Sequence, residues 1–166
     1  MFRSRASGVA PRLSCRDAAL AALGRRALTR KELTSRLVRK GYSLPDVDRV
    51  VASLVERRLV DDAATADAHV RSRASRGVGK RRVAQELAAR GVPAEERERV
   101  LGGIDPEGER GRLVAALAKR DRALPASLTG RERSRKLFDH LVRRGFSPAA
   151  VLEELRRKGQ KLDDHE

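Results

Sequence analysis

Apolar residues along this chain recur mostly at helical spacing, and few stretches alternate with a period of two. Three segments superimpose: Leu33–Leu37–Gly41, Val83–Leu87–Gly91 and Leu137–Leu141–Gly145. In each, apolar residues stand four apart and a glycine follows four later, behind a basic tip ending in Lys40, Arg90 or Arg144. A glycine there suits the position just past a helix C-terminus, where positive φ closes the turn without a Cβ clash. The apolar residue after it (Tyr42, Val92 or Phe146) can fold back on the last turn.

A second helix follows each glycine, with Pro45, Pro93 or Pro148 in its first turn, where no amide donor is missed. Its apolar positions are Val47, Val50, Val51 and Leu54, then Val100, Leu101 and Ile104, then Val151, Leu152 and Leu155. A leading helix precedes each pair: Cys15–Gly24 with Ala18, Leu20, Ala21 and Leu23; Asp61–Ser75 with Ala66 and Val70; and Glu109–Arg120 with Leu113, Val114 and Leu117. Gly41 and Gly91 are 50 residues apart and Gly91 and Gly145 are 54 apart, a difference close to one helical turn. Thr29–Glu32 and Thr129–Glu132 are capping boxes, and the second starts four residues further from its glycine, so the third unit's middle helix should begin one turn earlier. Leu28 and Leu33 are placed as a hydrophobic staple on the first box.

The expected fold is all-α, a tandem array of three three-helix repeats, elongated and curved. Its expected parts are a disordered basic leader at 1–14, repeats at 15–60, 61–104 and 105–159, and a polar tail at 160–166. One unit of ~50 residues buries little by itself, so neighbours should stack or share apolar faces. Aromatics are only 2% of the chain, which leaves Leu, Val and Ala to build the core.

Charge changes the picture most. Thirty-eight Lys and Arg against 23 Asp and Glu give a formal net charge of +15. Such a balance predicts affinity for nucleic acid or an acidic protein surface. Arg71, Arg73, Arg76, Lys80, Arg81 and Arg82 cluster around Gly77-Val78-Gly79, and Arg25, Arg26, Arg30 and Lys31 straddle the first turn. Two readings stay open for these groups, a partner contact and a solvated helix face. A glycine-rich loop at a helix start can also bind an anion, although the nucleotide-cradling spacing is absent. Arg143 and Arg144 sit at a helix C-terminus, where cations stabilise for local reasons. Asp61 and Asp62 read as an N-cap and a first-turn acid rather than a paired-carboxylate site.

Catalytic chemistry finds no support. His69, His140 and His165 have no metal-ligand spacing with Cys15 or with one another, and Cys15 has no His partner suggesting a nucleophile. No catalytic residue, metal or cofactor is expected. A lone cysteine fits a reducing cytoplasm, and no apolar run approaches the ~20 residues of a membrane span.

The block Leu59-Val60-Asp61-Asp62, Ala66, Val70-Arg71-Ser72-Arg73, Arg76-Gly77-Val78-Gly79, Arg82-Val83 and Gln85-Glu86-Leu87, closing at Arg90-Gly91-Val92, strongly resembles the RecX family of recombination regulators. Leu137-Phe138, Leu141 and Arg144-Gly145-Phe146 look like that family's C-terminal repeat. Family members usually carry an aromatic where Thr65 stands and often another at Val78, so the second unit should pack with smaller contacts. The resemblance implies a cytoplasmic regulator of RecA. It would lie in the groove of the RecA–DNA filament and inhibit strand exchange and ATP hydrolysis, touching single-stranded DNA indirectly or weakly. A monomer is expected. The alternative is a basic helical DNA-binding protein without a RecA role.

Overall fold

The computed structural model describes residues 13–163, with side chains described to residue 159. Among these residues there are nine helices and no strand: α1 (Cys15–Leu23), α2 (Arg30–Arg39), α3 (Leu44–Glu56), α4 (Asp62–Ser75), α5 (Lys80–Ala89), α6 (Ala94–Gly102), α7 (Pro106–Arg122), α8 (Gly130–Arg143) and α9 (Pro148–Asp163). The chain is therefore all-α, as its periodicity predicts. The leader expected at 1–14 lies outside the described residues except for 13 and 14. At the other end, α9 carries helix through Asp163, so part of the expected tail is helical; residues 164–166 lie outside the described chain.

Helix ends follow their local chemistry. In both capping boxes the threonine hydroxyl accepts from the Glu32 or Glu132 amide while the glutamate side chain accepts from the threonine amide. The staple residues Leu28 and Leu33 are both buried. Asp61 caps α4, accepting from the Ala64 amide at 2.9 Å. At the three repeated glycines φ is +93°, +79° and +93°. The Tyr42, Val92 and Phe146 amides reach back to the carbonyls of Leu37, Leu87 and Leu141, the longer bond of a Schellman closure. α8 has 14 residues against 10 in α2 and α5, the extra turn that its earlier capping box predicts.

Two expectations need correction. α7 starts at Pro106, because Asp105 caps it by accepting from the Glu107 and Gly108 amides and Pro106 fits its first position. Gly108 and Gly111 obscured that start in the apolar pattern. In α1 the buried face is Ala18, Ala19 and Ala22, while Leu20 is 39% exposed. Small side chains let α1 approach α2 and α3 closely, so the larger apolar residue turns outward. Val114 and Leu152 are likewise exposed.

Each consecutive triplet of helices packs on itself, α1–α3, α4–α6 and α7–α9. Each has its own core: Ala18, Leu33, Leu37, Val47, Val51 and Leu54 in the first; Ala66, Val83, Leu87, Val92 and Val100 in the second; Leu113, Leu117, Leu141, Phe146 and Val151 in the third. The second has no ring: Thr65 is buried and Val78 packs against the cluster half-buried. Of the two expected arrangements, stacking or sharing apolar faces, these three separate clusters exclude a common apolar core, and neighbouring triplets dock on each other. Polar junctions connect the triplets instead.

Candidate partner-binding surface

The two junctions repeat one arrangement: the start of a middle helix receives the end of the next triplet's middle helix. At the first, the Thr29 hydroxyl donates to the Arg90 carbonyl at 2.6 Å. Arg90 grips Glu32 through Nε and Nη2 at 3.1 and 2.9 Å. The Arg30 amide, an otherwise orphaned first-turn donor of α2, donates to Asp62 of α4 at 2.7 Å. At the second, the Gly79 amide donates to the Arg144 carbonyl at 2.9 Å and the Arg81 amide to the Gly145 carbonyl at 3.0 Å. The Lys80 amide donates to Glu109 of α7 at 2.8 Å. Arg144 donates from Nε to the Gly77 carbonyl at 3.0 Å and from Nη2 to the Arg76 carbonyl.

Gly79 explains why α5 has no side-chain cap. A Cβ there would lie 2.4 Å from the Gly145 carbonyl carbon and oxygen and from the Phe146 nitrogen. The next triplet's backbone takes the place that a capping hydroxyl would fill. The anion-binding reading of this glycine-rich loop is therefore overturned, because protein carbonyls and Glu109 already occupy the amides of Gly79, Lys80 and Arg81. Arg144 also does more than steady its own helix end: it bridges two triplets.

The candidate cations divide accordingly. Arg73 forms a two-point pair with Glu86, Nε to Oε2 at 2.6 Å and Nη2 to Oε1 at 2.8 Å, joining α4 to α5. Arg82 donates to the same carboxylate at 3.2 Å, and Arg26 to Glu32 at 3.4 Å. His69 sits between Glu86, 2.9 Å from Nε2, and Arg90, 3.4 Å from Nδ1. With Nε2 protonated the ring donates to one and accepts from the other. Arg25, Arg30, Lys31, Arg71, Arg76, Lys80 and Arg81 are exposed, and among the described residues none forms a salt bridge. Arg30 and Lys31 line a mixed-charge hollow with Asp62 and Glu96, whereas Arg76 opens onto a cleft beside Arg144.

The hub carboxylates are tuned by these contacts. Burial pushes the Glu86 carboxyl up, but hydrogen bonds from Arg73, His69 and Arg82 bring it below its ordinary value. Glu32 behaves alike: burial raises it, and Arg90 with the Thr29 amide outweighs burial. Asp121 is also lowered, burial being overcome by Lys158 and Arg133. The cations that sequence reasoning missed are Arg112, Lys119 and Arg120 on α7, which face the second junction together with Arg144. Their only signal along the chain is a shared helical face, with spacings of seven and eight residues from Arg112.

Sequence models for the first and second three-helix domains of RecX match residues 15–54 and 61–101. The regulatory protein RecX of Halorhodospira halophila is 38% identical over 137 residues, 82% of this chain and 83% of that protein. The chain belongs to the RecX family. The regulatory protein RecX of Mycobacterium leprae is 37% identical over 129 residues, 77% of this chain and 75% of its own length. Among solved structures, one of a regulatory protein RecX superimposes with a TM-score of 0.73 at 22% identity, covering 86% of this chain and 70% of that one. RecX from Lactobacillus salivarius gives 0.69 at 21%, covering 86% and 94%. These likenesses show that the all-α repeat fold is the RecX fold. In that light the block Asp61 to Gly91 is largely structural: Asp61 caps, Asp62 and Arg90 tie the first junction, and Arg73 with Glu86 holds α4 to α5. Among the described residues, no helix is long and apolar enough to cross a membrane.

Proposed function

We propose that this RecX chain regulates the RecA recombinase: it docks on the RecA–DNA filament through free cations on successive triplets and inhibits ATP hydrolysis and strand exchange. It acts as a cytoplasmic monomer, without catalytic chemistry, metal or cofactor. Family membership supports this reading. The observation that carries it is the division of the basic residues. Ion pairs within triplets consume Arg26, Arg73 and Arg82 and the junctions consume Arg90 and Arg144, whereas Arg25, Arg30 and Lys31 stay exposed on the first triplet with Arg71, Arg76, Lys80 and Arg81 on the second. Contacts spread over linked units gain from effective concentration on a repeating polymer.

Titrating the chain into a RecA ATPase assay on single-stranded DNA tests the reading. Progressive inhibition is expected, at amounts well below RecA if filament ends are blocked and near equivalence if the filament is coated. No effect at any ratio rejects the RecA role. The informative charge-reversal variant is Arg71→Glu with Arg81→Glu, because both side chains lack an intramolecular salt bridge among the described residues. Retention of that variant on RecA filaments at raised salt, undiminished from the parent, clears these residues of a binding role.

A further inference from the structure

A cleft of about 460 Å³ opens where α4, α7 and α8 meet at the second junction. Its charged walls are Arg76, Arg112, Lys119, Arg120 and Arg144, joined by His140, and among the described residues no carboxylate lines it. Ala115 and Ala116 leave its floor low. Elsewhere the acids are distributed among the bases: Glu32 holds Arg26 and Arg90, Glu86 holds Arg73 and Arg82, and Asp121 holds Arg133 and Lys158. Among the described residues that pairing is missing in the cleft, and the Nε atoms of Arg112 and Arg120, like that of Arg36 on α2, are buried without a hydrogen-bond acceptor. Neither guanidinium is therefore anchored to a protein acceptor through Nε, and neither charge is compensated by a carboxylate among the described residues. The local field registers on His140, whose pKa is lowered first by burial and then by Arg120, Arg144 and Arg143.

We propose that this cleft is a phosphate-binding groove that holds the backbone of a nucleic-acid strand. Planar guanidinium forks match phosphate oxygens in two-point bonds. Among the described residues no Phe, Tyr or Trp lines the cleft, and its one ring, His140, is half-buried, so the backbone is the recognised part. Arg112 and Lys119, seven residues apart on α7, are separated by about 10 Å along the helix axis. A strand with one charge per roughly 3.4 Å of duplex axis places several phosphates over that length. An acidic peptide or a free phosphate offers oxygen acceptors too, but a tetrahedral phosphodiester repeated along a strand matches both the guanidinium forks and the length of the wall, and the competitors in the test separate the three. The inference is independent of the RecA reading, since it concerns the chain alone.

The test uses the full chain without RecA and a labelled single-stranded oligonucleotide, with binding followed by fluorescence anisotropy across a salt series. The paired variant Arg112→Gln with Arg120→Gln should weaken binding about tenfold or more. It should also lower the slope of log affinity against log salt by about 1.4, roughly 0.7 for each lost phosphate contact. The pair Arg39→Gln with Arg57→Gln, exposed cations of the first triplet outside the docking set and without a salt bridge among the described residues, removes the same charge and should change both much less. Because the cleft arginines' Nε donors lack acceptors, the cleft pair should melt no lower than the parent. Arg112→Lys, which retains charge without the fork, should fall between parent and pair. Equal effects from the two pairs, or none from the cleft pair, overturn the proposal. So does displacement of the oligonucleotide by polyglutamate at lower charge concentration than by unlabelled strand, or tripolyphosphate binding as tightly as the strand.

Discussion

Gly79 and Gly41 separate two reasons for which a chain needs glycine. Gly79 has an ordinary φ of −76°, so only the approach of Gly145 and Phe146 forbids a side chain there. Gly41 has φ of +93° but open space around its missing Cβ. Gly79→Ala should therefore force the second junction apart, at a cost of about 1–3 kcal/mol typical of overpacking. Gly41→Ala should cost about 1–2 kcal/mol by backbone strain alone, with the junctions intact. Urea unfolding gives both costs, and hydrogen exchange at the Gly79 and Arg81 amides should quicken in the first variant only. Arg58 offers the converse case: a non-glycine residue at φ of +55°, closing α3. Arg58→Gly removes that strain and should raise stability by up to about 1 kcal/mol, net of glycine's greater unfolded-state entropy; a midpoint lower than the parent's in the same urea experiment would contradict it. The three repeated glycines were legible from spacing, because the closure they allow is made within a few residues. Gly79 was legible only as part of a turn, because what fills its missing side chain lies 66 residues further on.

At the scale of helices, two identical capping boxes have different neighbours. Thr129 and Glu132 satisfy only each other and the start of α8. Thr29 is fully buried and adds a bond to the Arg90 carbonyl of the next triplet, and its partner Glu32 adds the grip of Arg90. Thr129→Ala should cost about 1 kcal/mol, the usual value of a cap. Thr29→Ala should cost about 2 kcal/mol or more, since a carbonyl at the junction loses its donor as well. Equal losses in urea unfolding would show that the junction bond contributes nothing. Both caps, the staple and the extra turn of α8 could be read in advance, since each depends on residues three to five apart. The outward turn of Leu20 could not, because the spacing between α1 and its neighbours decides which face is narrow enough to demand alanine.

Over the whole molecule, stability should rise from acid to neutral pH, and the sign follows from the direction of each shift. Glu32, Glu86 and Asp121 have folded-state values below their ordinary 4.5, 4.5 and 3.8, so the stabilisation they provide is complete above those values and is lost as pH falls through the lower folded ones. His140 is lowered from 6.5, so between its folded value and 6.5 the unfolded chain binds more protons and stability again climbs with pH. Thermal unfolding at stepped pH should show both rises, and His140→Gln should abolish only the one just below 6.5. The sequence by itself determined the helices, their caps, the repeat and the excess of positive charge, because each rests on composition or on contacts between residues a few positions apart. Only the tertiary structure decided which cations are used and which are free. Arg144 reaches a carbonyl 67 residues away and Arg90 a carboxylate 58 away, while Arg112 and Arg120 are brought beside other arginines in a cleft that no carboxylate lines among the described residues. Ion pairing is fixed by distances of a few ångströms, and between residues so far apart in sequence those distances come from how the triplets dock.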